Sequence, residues 1–442
     1  MAHLPDWVPS RLRQLTFFQI TWAIAASAWV ALLAAWQWPL LPFSGEPLLS
    51  LALHFAIYFP VCALGACMLL GVTGLPSDRT VESKNIERIG RLDHLRFLAA
   101  ALVVLYHYFD KVIPFDPAST NILFNVMTEG RLGVDIFFVL SGFIFGMIGY
   151  QKKIRYFDFL WSRVVRIYPL YLFAIMLVLA VYPEKYAPLD SFILMAPILV
   201  PGYIFTLPGF TQLWTVGLEF QFYLIFPFLA AFLIRNGYKY LGVILLFAMG
   251  VRALYFIELG SIRNLSYGTL PGRIDQFVAG MGSAWFFINK RALFSHAAHL
   301  IVSAILALAY FQWLYAWDGQ GGGSNSMLWI VWPAIDGAIW GYLIVSYLSC
   351  RITIPAFLDE SLTKLGAMSF SLYVMHDFAV SWTLKYAGSL SITGSAKTDA
   401  ALKGVFICLP FAVIIAWGTY HLIEKQFFIY RRKYVEAVEA RA

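Results

Sequence analysis

The sequence predicts an all-α protein, a polytopic bundle of transmembrane helices, from three observations. Hydrophobic residues make up 60% of the 442-residue chain and charged residues only 13%, whereas a soluble domain carries about 25% charged residues. Apolar runs of about 20 residues, the length that crosses a bilayer as a helix, follow one another along the chain. The 15 Trp and 24 Tyr suit two membrane interfaces, where their amphipathic rings accumulate.

Twelve apolar runs are predicted to span the membrane. Lipid offers no water to unpaired backbone groups, so each run is expected to be helical. Gly and Pro inside several runs are compatible with helices that pack against neighbours. The predicted spans fall near residues 15–38, 49–74, 95–114, 132–150, 167–183, 212–234, 239–258, 272–289, 298–316, 327–349, 365–386 and 401–423.

A polar stretch at 75–91 divides the chain. The sequence predicts an N-terminal two-helix extension with a cytoplasmic linker at 1–87, a ten-helix body at 88–430 and a cytoplasmic tail at 431–442. The first apolar run is longer than the core of a signal peptide, so it is predicted to be a spanning anchor that is not cleaved.

Loop charges predict the orientation. Lys and Arg concentrate in loops such as 75–93 and 151–166, which the positive-inside rule places in the cytoplasm. The segment 190–207 is apolar but contains Pro197 and Pro201. If it does not cross, every later basic loop is cytoplasmic, and if it crosses, all of them are outside. We therefore expect an outer re-entrant or interfacial piece at 190–207, with both termini cytoplasmic.

Composition and spacing also exclude several classes of function. The net charge of +7 does not indicate a nucleic-acid partner, because the basic residues lie in short loops and form no single face. No phosphate-binding loop, HExxH or GxSxG pattern is present, and no spacing predicts a metal site. The cysteines lack CxxC spacing and are expected to be buried thiols. They are Cys62, Cys67, Cys350 and Cys408.

Ionisable residues inside spans are the candidates for function, because burying them in a membrane is expensive. In the run LDHLRFLAAALVVLYH, Arg96 lies near the cytoplasmic end and His107 lies eleven residues further on, about 16 Å along a helix axis. Both side chains then share a face. A neutral imidazole is a good general base toward a hydroxyl. The alternative is a snorkelling arginine and a hydrogen-bonded core histidine.

A second pair of basic residues lies at the predicted cytoplasmic boundary. Arg163 and Arg166 are one helical turn apart in WSRVVRIYPLY. Two guanidinium forks on one face suit phosphate groups. The alternative is anchoring by the positive-inside effect and binding of anionic lipid headgroups.

Polar residues also mark the outer ends of two spans. Arg131 and Asp135 are one turn apart and form either a local ion pair or part of a site. Arg273, Asp275 and Gln276 crowd the start of a later span, as an interface cap or as part of an acceptor site.

Three further groups lie deeper in the predicted spans. Ser141, with Gly142 and Gly146, forms a small-residue face for close packing, and no base in the sequence makes Ser141 a nucleophile. Glu219, about two turns into the membrane, is a carboxylate that needs a partner. The third group is a functional or hydrogen-bonded core cluster formed by Tyr373, His376 and Asp377.

Together, these motifs resemble the acyltransferase-3 family of bacterial membrane proteins. That family includes O-acetylases of lipopolysaccharide, exopolysaccharide and Nod factors. The likeness runs from about residue 88 to 430 and keeps the family's order of motifs: LDxLR with VLYH, GVDIFFVLSGF, RVVRIYPLY, LWxxxxExQFY and SFSLYxxH.

The resemblance implies roles for individual residues. Arg96 and His107 match the family's Arg-x10-His pair, which is held to be essential for catalysis. Arg163 and Arg166 match its Arg-x-x-Arg motif, which is thought to engage the acyl-CoA donor. Glu219 matches the first acidic residue of the pattern W-S-L-x-x-E-E-Q-F-Y.

This sequence departs from the family pattern at four positions. His94 stands where Gly is usual and Ser162 where a basic residue is common. Phe220 replaces a second Glu, and Gln426 stands where Pro usually follows the last Ile-Glu. The missing acid at Phe220 bears on acceptor preference more than on the type of reaction.

The resemblance implies transfer of an acyl group, most simply acetyl, from cytoplasmic acyl-CoA to a hydroxyl of an extracytoplasmic or lipid-linked glycan. Acyl-CoA is then a co-substrate with no bound cofactor, the acceptor is a glycan or glycolipid, and the location is the bacterial inner membrane. His107 either deprotonates the acceptor hydroxyl or takes the acyl group first. Arg96 contacts the donor or orients the site, and Glu219 holds the tautomer of His107 or binds a sugar hydroxyl.

The donor phosphates are expected to meet Arg163 and Arg166, with Lys152, Lys153 and Arg155 nearby. The acceptor is expected to approach from the outer side. The residues predicted to contact or support it there are Arg131, Asp135, Arg273, Asp275, Tyr373 and His376.

Two other classes of function fit the composition. Twelve spans with intramembrane His, Glu and Arg are also typical of a transporter or a flippase for a glycan or small anion. Against that class, the sequence has no detectable inverted repeat and no paired broken helices. A membrane scaffold, whose polar residues only hold helices together, is the third possibility.

Overall fold

The computed structural model describes residues 89–181, 211–318 and 326–437, apart from positions 115, 117 and 118. The predicted spans 15–38 and 49–74, the linker that follows them and the segment 190–207 lie outside the described residues. The chain divides into two compact units. Of the first unit, the structure describes Tyr171–Val181, and the second unit contains all other described residues.

Helices form nearly all of the described chain, as the long apolar runs predict. The α-helices are α1 Gly90–Val112, α2 Ile122–Thr128, α3 Leu132–Gly149, α4 Tyr156–Val181, α5 Trp214–Asn236, α6 Tyr240–Leu259, α7 Arg263–Gly268, α8 Leu270–Lys290, α9 Ala297–Asp318, α10 Leu328–Ser349, α11 Ala356–Ala367, α12 Ser369–Ala387, α13 Ala396–Lys403 and α14 Leu409–Leu422. Short 3₁₀ turns cover Thr211–Leu213, Arg291–Phe294 and Glu424–Tyr430, and one π turn covers Gly404–Cys408.

The predicted fold class, an all-α polytopic membrane bundle, is confirmed. Within the described chain, seven helical stretches are long and apolar enough to cross a bilayer. They are α3, α4, α5, α6, α9, α10 and the C-terminal run Ala396–Tyr430.

Three further helices match predicted spans but are more polar: α1, α8 and α12. Each has seven consecutive buried residues, namely 99–105, 272–278 and 371–377. Burial around two full turns means that neighbouring helices enclose these stretches. Lipid therefore does not reach the polar side chains there, which is how a membrane bundle tolerates them.

The predicted small-residue face brings α3 and α8 into close contact. A Cβ built on Gly142 would overlap the carbonyl oxygen of Phe277, and one built on Gly280 would overlap the carbonyl oxygen of Val139. Both positions therefore require glycine for this backbone approach. The contact sets α8 firmly against α3, the helix that carries Ser141.

Helix α4 begins earlier than the predicted span at 167. It starts at Tyr156, so Arg163 and Arg166 lie on the helix and not in a loop before it. The apolar run marks only the lipid-facing part of the helix. Its first turn is polar, with Asp158 placed where the helix dipole favours a negative charge.

The predicted boundary at residue 430 separates residues that the structure joins. β1 Lys152–Ile154 and β2 Val435–Ala437 form an antiparallel pair, with Lys153 opposite Glu436. Ser162 on α4 holds Arg432 twice, since its hydroxyl bonds both the carbonyl and the amide of that residue at 3.0 Å. We call residues 431–437 the C-terminal segment. It is part of the folded body at the start of α4.

Candidate active site

One cavity brings together most of the predicted donor-side and catalytic residues. It lies among α1, α3, α4, α5 and α12. The polar and aromatic residues that matter for its chemistry are Arg96, Ser141, Arg163, Arg166, Glu219 and Tyr373. Residues from five separate helices therefore meet around one space, as a binding site in a helical bundle requires.

Arg163 is held by aromatic rings at one end of this cavity. Its guanidinium lies 5.5 Å from the ring centre of Phe145, 5.4 Å from Phe159 and 5.5 Å from Tyr434. Its Nη2 donates to the Tyr434 hydroxyl at 2.9 Å. Its Nε is buried and has no hydrogen-bond partner among the described residues. The side chain is thus fixed, with one donor left over for a ligand.

Positive charge concentrates beside Arg163. Arg166 lies close enough to Arg96 to repel its charge, whereas Glu424 and Glu219 attract it. Nη1 of Arg96 also lies 3.4 Å from Asp93. Beyond the membrane spans, burial and then the charges of Arg166 and Arg163 lower the pKa of Arg431 to about 9.

Arg166 makes no hydrogen bond or ion pair within the part of the chain that the structure describes. Glu424 and Glu219 offset part of this positive charge, and a bound anion would offset more of it.

Glu219 faces the same cavity from α5. Its Oε1 accepts a hydrogen bond from the Ser141 hydroxyl on α3 at 3.1 Å. The hydrogen bond between Glu219 and His107 that the resemblance leaves open does not occur among the described residues. Ser141, for which the sequence suggested no base, has a carboxylate beside it.

His107 does not line this cavity but pairs with His376. The two ring centres are 4.8 Å apart, and Nε2 of His376 lies 3.1 Å from Nδ1 of His107. Nδ1 of His107 also lies 3.0 Å from the Val103 carbonyl. His376 is fully buried, whereas His107 is partly exposed.

Tyr373 connects the histidine pair to the cavity. Its carbonyl lies 2.7 Å from Nδ1 of His376. Its side chain lines the cavity, and its hydroxyl is 2.8 Å from the Thr215 hydroxyl and donates to the Gln212 carbonyl at 3.0 Å. The predicted support residues Tyr373 and His376 thus form one continuous group with His107.

The outer residues that the sequence singled out form ion pairs elsewhere in the bundle. Asp135 accepts from Nη1 of Arg273 at 2.7 Å, and both are buried. Asp275 forms a two-bond pair with Arg252, at 2.9 and 2.6 Å. Arg131 pairs with Glu129 at 2.9 Å. These residues do not line the cavity, and their pairs join α3 to α8 and α6 to α8.

Lys152 and Lys153 lie on β1, next to the C-terminal segment. Arg155 forms ion pairs with Asp158 at 3.3 Å and with Glu436 at 3.4 Å. It therefore fastens the C-terminal segment to α4.

Two residues beside the cavity arginines, Glu424 and Tyr434, were not predicted from the sequence. Glu424 is 1% exposed and accepts from the Ser371 hydroxyl at 2.8 Å. Its Ile-Glu motif was visible, but Glu424 lies one residue beyond the predicted span 401–423, so the rule for carboxylates within a span did not single it out. Tyr434 had no signal, since it lies beyond the last apolar run.

Comparison with known proteins adds a chemical context. Residues 89–421 match an acyltransferase domain family. The exopolysaccharide production protein ExoZ of Rhizobium meliloti is 27% identical over 297 residues, which cover 63% of this chain and 86% of ExoZ.

Two further relatives are named as transferases. The O-acetyltransferase OatA of Staphylococcus aureus is 25% identical over 328 residues, 64% of this chain, so this chain spans about half of OatA (49%). The acyltransferase MdmB of Streptomyces mycarofaciens is 21% identical over 384 residues, 76% of this chain and 91% of MdmB. No solved structure matches the chain.

Proposed function

This chain belongs to the acyltransferase-3 family and is a multi-pass membrane acyltransferase, and from that premise we propose that it moves an acetyl group from cytoplasmic acyl-CoA to a glycan hydroxyl. The acceptor is an extracytoplasmic or lipid-linked glycan. The membrane is the bacterial inner membrane, with both termini in the cytoplasm. Acyl-CoA is a co-substrate, and the reaction uses no bound cofactor. An O-acetyltransferase and an exopolysaccharide production protein among the relatives support this choice.

The observation that carries the proposal is the meeting of Arg96, Arg163, Arg166 and Glu219 around one cavity. An acyl-CoA carries several phosphate charges and a thioester at the far end of a long arm. Guanidinium groups bind phosphate oxygens through paired N–H donors. The free Nε of Arg163 and the crowded charges of Arg166 and Arg431 suit that end of the donor.

The thioester then points along α1 toward His107. Arg96 and His107 are eleven residues apart on α1, about 16 Å along its axis, so donor binding and proton transfer occupy different depths. In the direct route, the acceptor oxygen forms a bond to the thioester carbonyl carbon and the C–S bond breaks. His107 takes the hydroxyl proton and returns it to the CoA thiolate, so protons and electrons balance.

The test is acyl transfer by the purified full-length chain in lipid nanodiscs, given acetyl-CoA labelled in its acetyl group. We expect His107→Ala to lower kcat by about 10²-fold or more, the range of general-base catalysis. Arg163→Glu should raise the KM for acetyl-CoA. His299→Asn is a matched control, because His299 on α9 pairs with Tyr342 on α10, and neither residue lines the cavity.

The two alternative functions, a transporter or flippase and a membrane scaffold, predict different results in that assay. A transporter or flippase would move its cargo without consuming thioester. A scaffold would lose assembly, and not turnover, in the His107→Ala and Arg96→Ala variants. Wild-type turnover by a folded His107→Ala protein would overturn the proposed mechanism.

A further inference from the structure

Nδ1 of His107 faces two hydrogen-bond acceptors, Nε2 of His376 and the Val103 carbonyl. We propose that His376 holds His107 as the neutral tautomer protonated on Nδ1, which leaves Nε2 of His107 as the atom that takes the acceptor proton. This inference rests on the proposed function for its catalytic meaning, although the tautomer itself can be observed without turnover. His376 is thus a positioning residue, since it acts through His107.

The assignment starts from a carbonyl. The Tyr373 carbonyl oxygen lies 2.7 Å from Nδ1 of His376, and a carbonyl can only accept a hydrogen bond. Nδ1 of His376 therefore carries a hydrogen. His376 is fully buried, and a charged ring without a carboxylate partner is costly there. The ring is accordingly neutral, and its Nε2 is an acceptor.

That acceptor fixes the next ring. Nε2 of His376 lies 3.1 Å from Nδ1 of His107, so Nδ1 of His107 must donate. The Val103 carbonyl, 3.0 Å from the same Nδ1, also requires a donor there. Two independent acceptors thus give the same answer, and a neutral His107 has its lone pair on Nε2.

In the part of the chain that the structure describes, no carboxylate bonds to either ring of the His107–His376 pair. Asp377, next to His376 in sequence, is paired with Lys111 at 3.2 Å. Glu219 accepts from Ser141. In serine hydrolases a carboxylate orients the histidine and stabilises the imidazolium. Here the neutral ring of His376 accepts from Nδ1 of His107 and orients that ring. Because His376 carries no negative charge, the proton that Nε2 of His107 takes from the acceptor is held less strongly and can return to the departing thiolate.

The tautomer can be read by solid-state NMR of the full-length chain in lipid bilayers, with ¹³C,¹⁵N-labelled histidine. His107 is assigned by its loss in His107→Asn. We expect the nitrogen shifts of an Nδ1-protonated ring in the wild type. In His376→Leu the Val103 carbonyl remains as an acceptor for Nδ1 of His107. We therefore expect the signal to move only part of the way toward the Nε2-protonated form that predominates in water, and an unchanged signal would mean that His376 does not hold the tautomer. An Nε2-protonated His107 in the wild type would overturn the inference.

Kinetics supply the second readout. We expect His376→Leu to lower kcat at least about tenfold, within the contribution of a general base, with the KM for acetyl-CoA unchanged. His376→Gln keeps an acceptor oxygen and should recover part of the loss, which a purely structural role would not produce. Unchanged kcat in a folded His376→Leu protein would contradict the inference. If the wild type transfers no acyl group, the proposed function fails, yet the NMR result still decides the tautomer.

Discussion

Ser141 and Glu219 are the residue pair whose role the geometry leaves most open to experiment. The hydroxyl donates to the carboxylate at 3.1 Å, from α3 to α5. A carboxylate beside a hydroxyl can activate it as a nucleophile. In the direct route that we propose, Ser141 only orients Glu219, and Glu219 acts on the acceptor.

Replacement of Ser141 by Ala separates these roles. We expect Ser141→Ala to lower kcat by about tenfold or less, since it removes one hydrogen bond to a charged group, worth roughly 1.5 kcal/mol at the low end. Glu219→Gln should cost more, about 10²-fold, because it removes the negative charge and the basicity of the carboxylate. Quenched reactions analysed by mass spectrometry should show no acylated Ser141. An acyl group on Ser141, with full loss of activity in Ser141→Ala, would establish the acyl-enzyme route instead.

At this scale, the sequence predicted which side chains are unusual but not which of them meet. Arg96, Arg163 and Glu219 stand out because lipid makes ionisable residues costly. His107 and His376 are 269 positions apart, and no local pattern relates residues so distant. The partner of Asp275 could have been predicted. Arg252 is an ionisable residue inside the predicted span 239–258 and lies only 23 positions earlier.

Among the elements, the C-terminal segment has the largest unpredicted role. Tyr434 is buried and its hydroxyl accepts from Arg163, while the strand pair and Ser162 hold its backbone beside α4. Hydropathy cannot reveal such a segment, because it is too short and polar to be a span. Its contacts fix the side chain of Arg163, which is the residue that we propose binds the donor.

Removal of the Tyr434 hydroxyl tests this. We expect Tyr434→Phe to raise the KM for acetyl-CoA about tenfold, equivalent to about 1.4 kcal/mol, with little change in kcat. Combined with Arg163→Lys, the effects should be less than additive, because contacting residues share one interaction. Tyr238→Phe, in the loop between α5 and α6, is the matched control. Additive effects in this double-mutant cycle would mean that Tyr434 does not act through Arg163.

For the whole molecule, the strand pair constrains the topology. β1 precedes α4, and β2 follows the last helical run, yet the two strands are paired. The chain must therefore cross the membrane an even number of times between them. Among the described helices between the strands, six stretches are long and apolar enough to cross, namely α4, α5, α6, α9, α10 and the run Ala396–Tyr430. The more polar helices α8 and α12 match predicted spans and bring the expected number to eight. Eight crossings already satisfy this condition without a crossing at 190–207.

Strand pairing places β1 and β2 on the same side of the membrane, and loop charge predicts which side that is. The positive-inside rule places basic loops in the cytoplasm, and β1 carries two of these lysines. Arg163 and Arg166 lie near the end of α4 that follows β1, so the proposed donor site would face the cytoplasm, where acyl-CoA is available. The opposite end, after α12, should face outward.

Cysteine labelling in oriented membrane vesicles checks this arrangement. Exposed Lys153 on β1 and exposed Ser389 after α12 offer one reporter for each side. In inside-out vesicles, a membrane-impermeant maleimide should label Lys153→Cys and spare Ser389→Cys, and in right-side-out vesicles the pattern should reverse. Cys350 and Cys408 are buried, and the parent protein without the added cysteine gives the background. The expected pattern requires an odd number of crossings between the two reporters. Labelling of both from the same side would mean an even number, and would contradict the placement of donor and acceptor on opposite faces of the membrane.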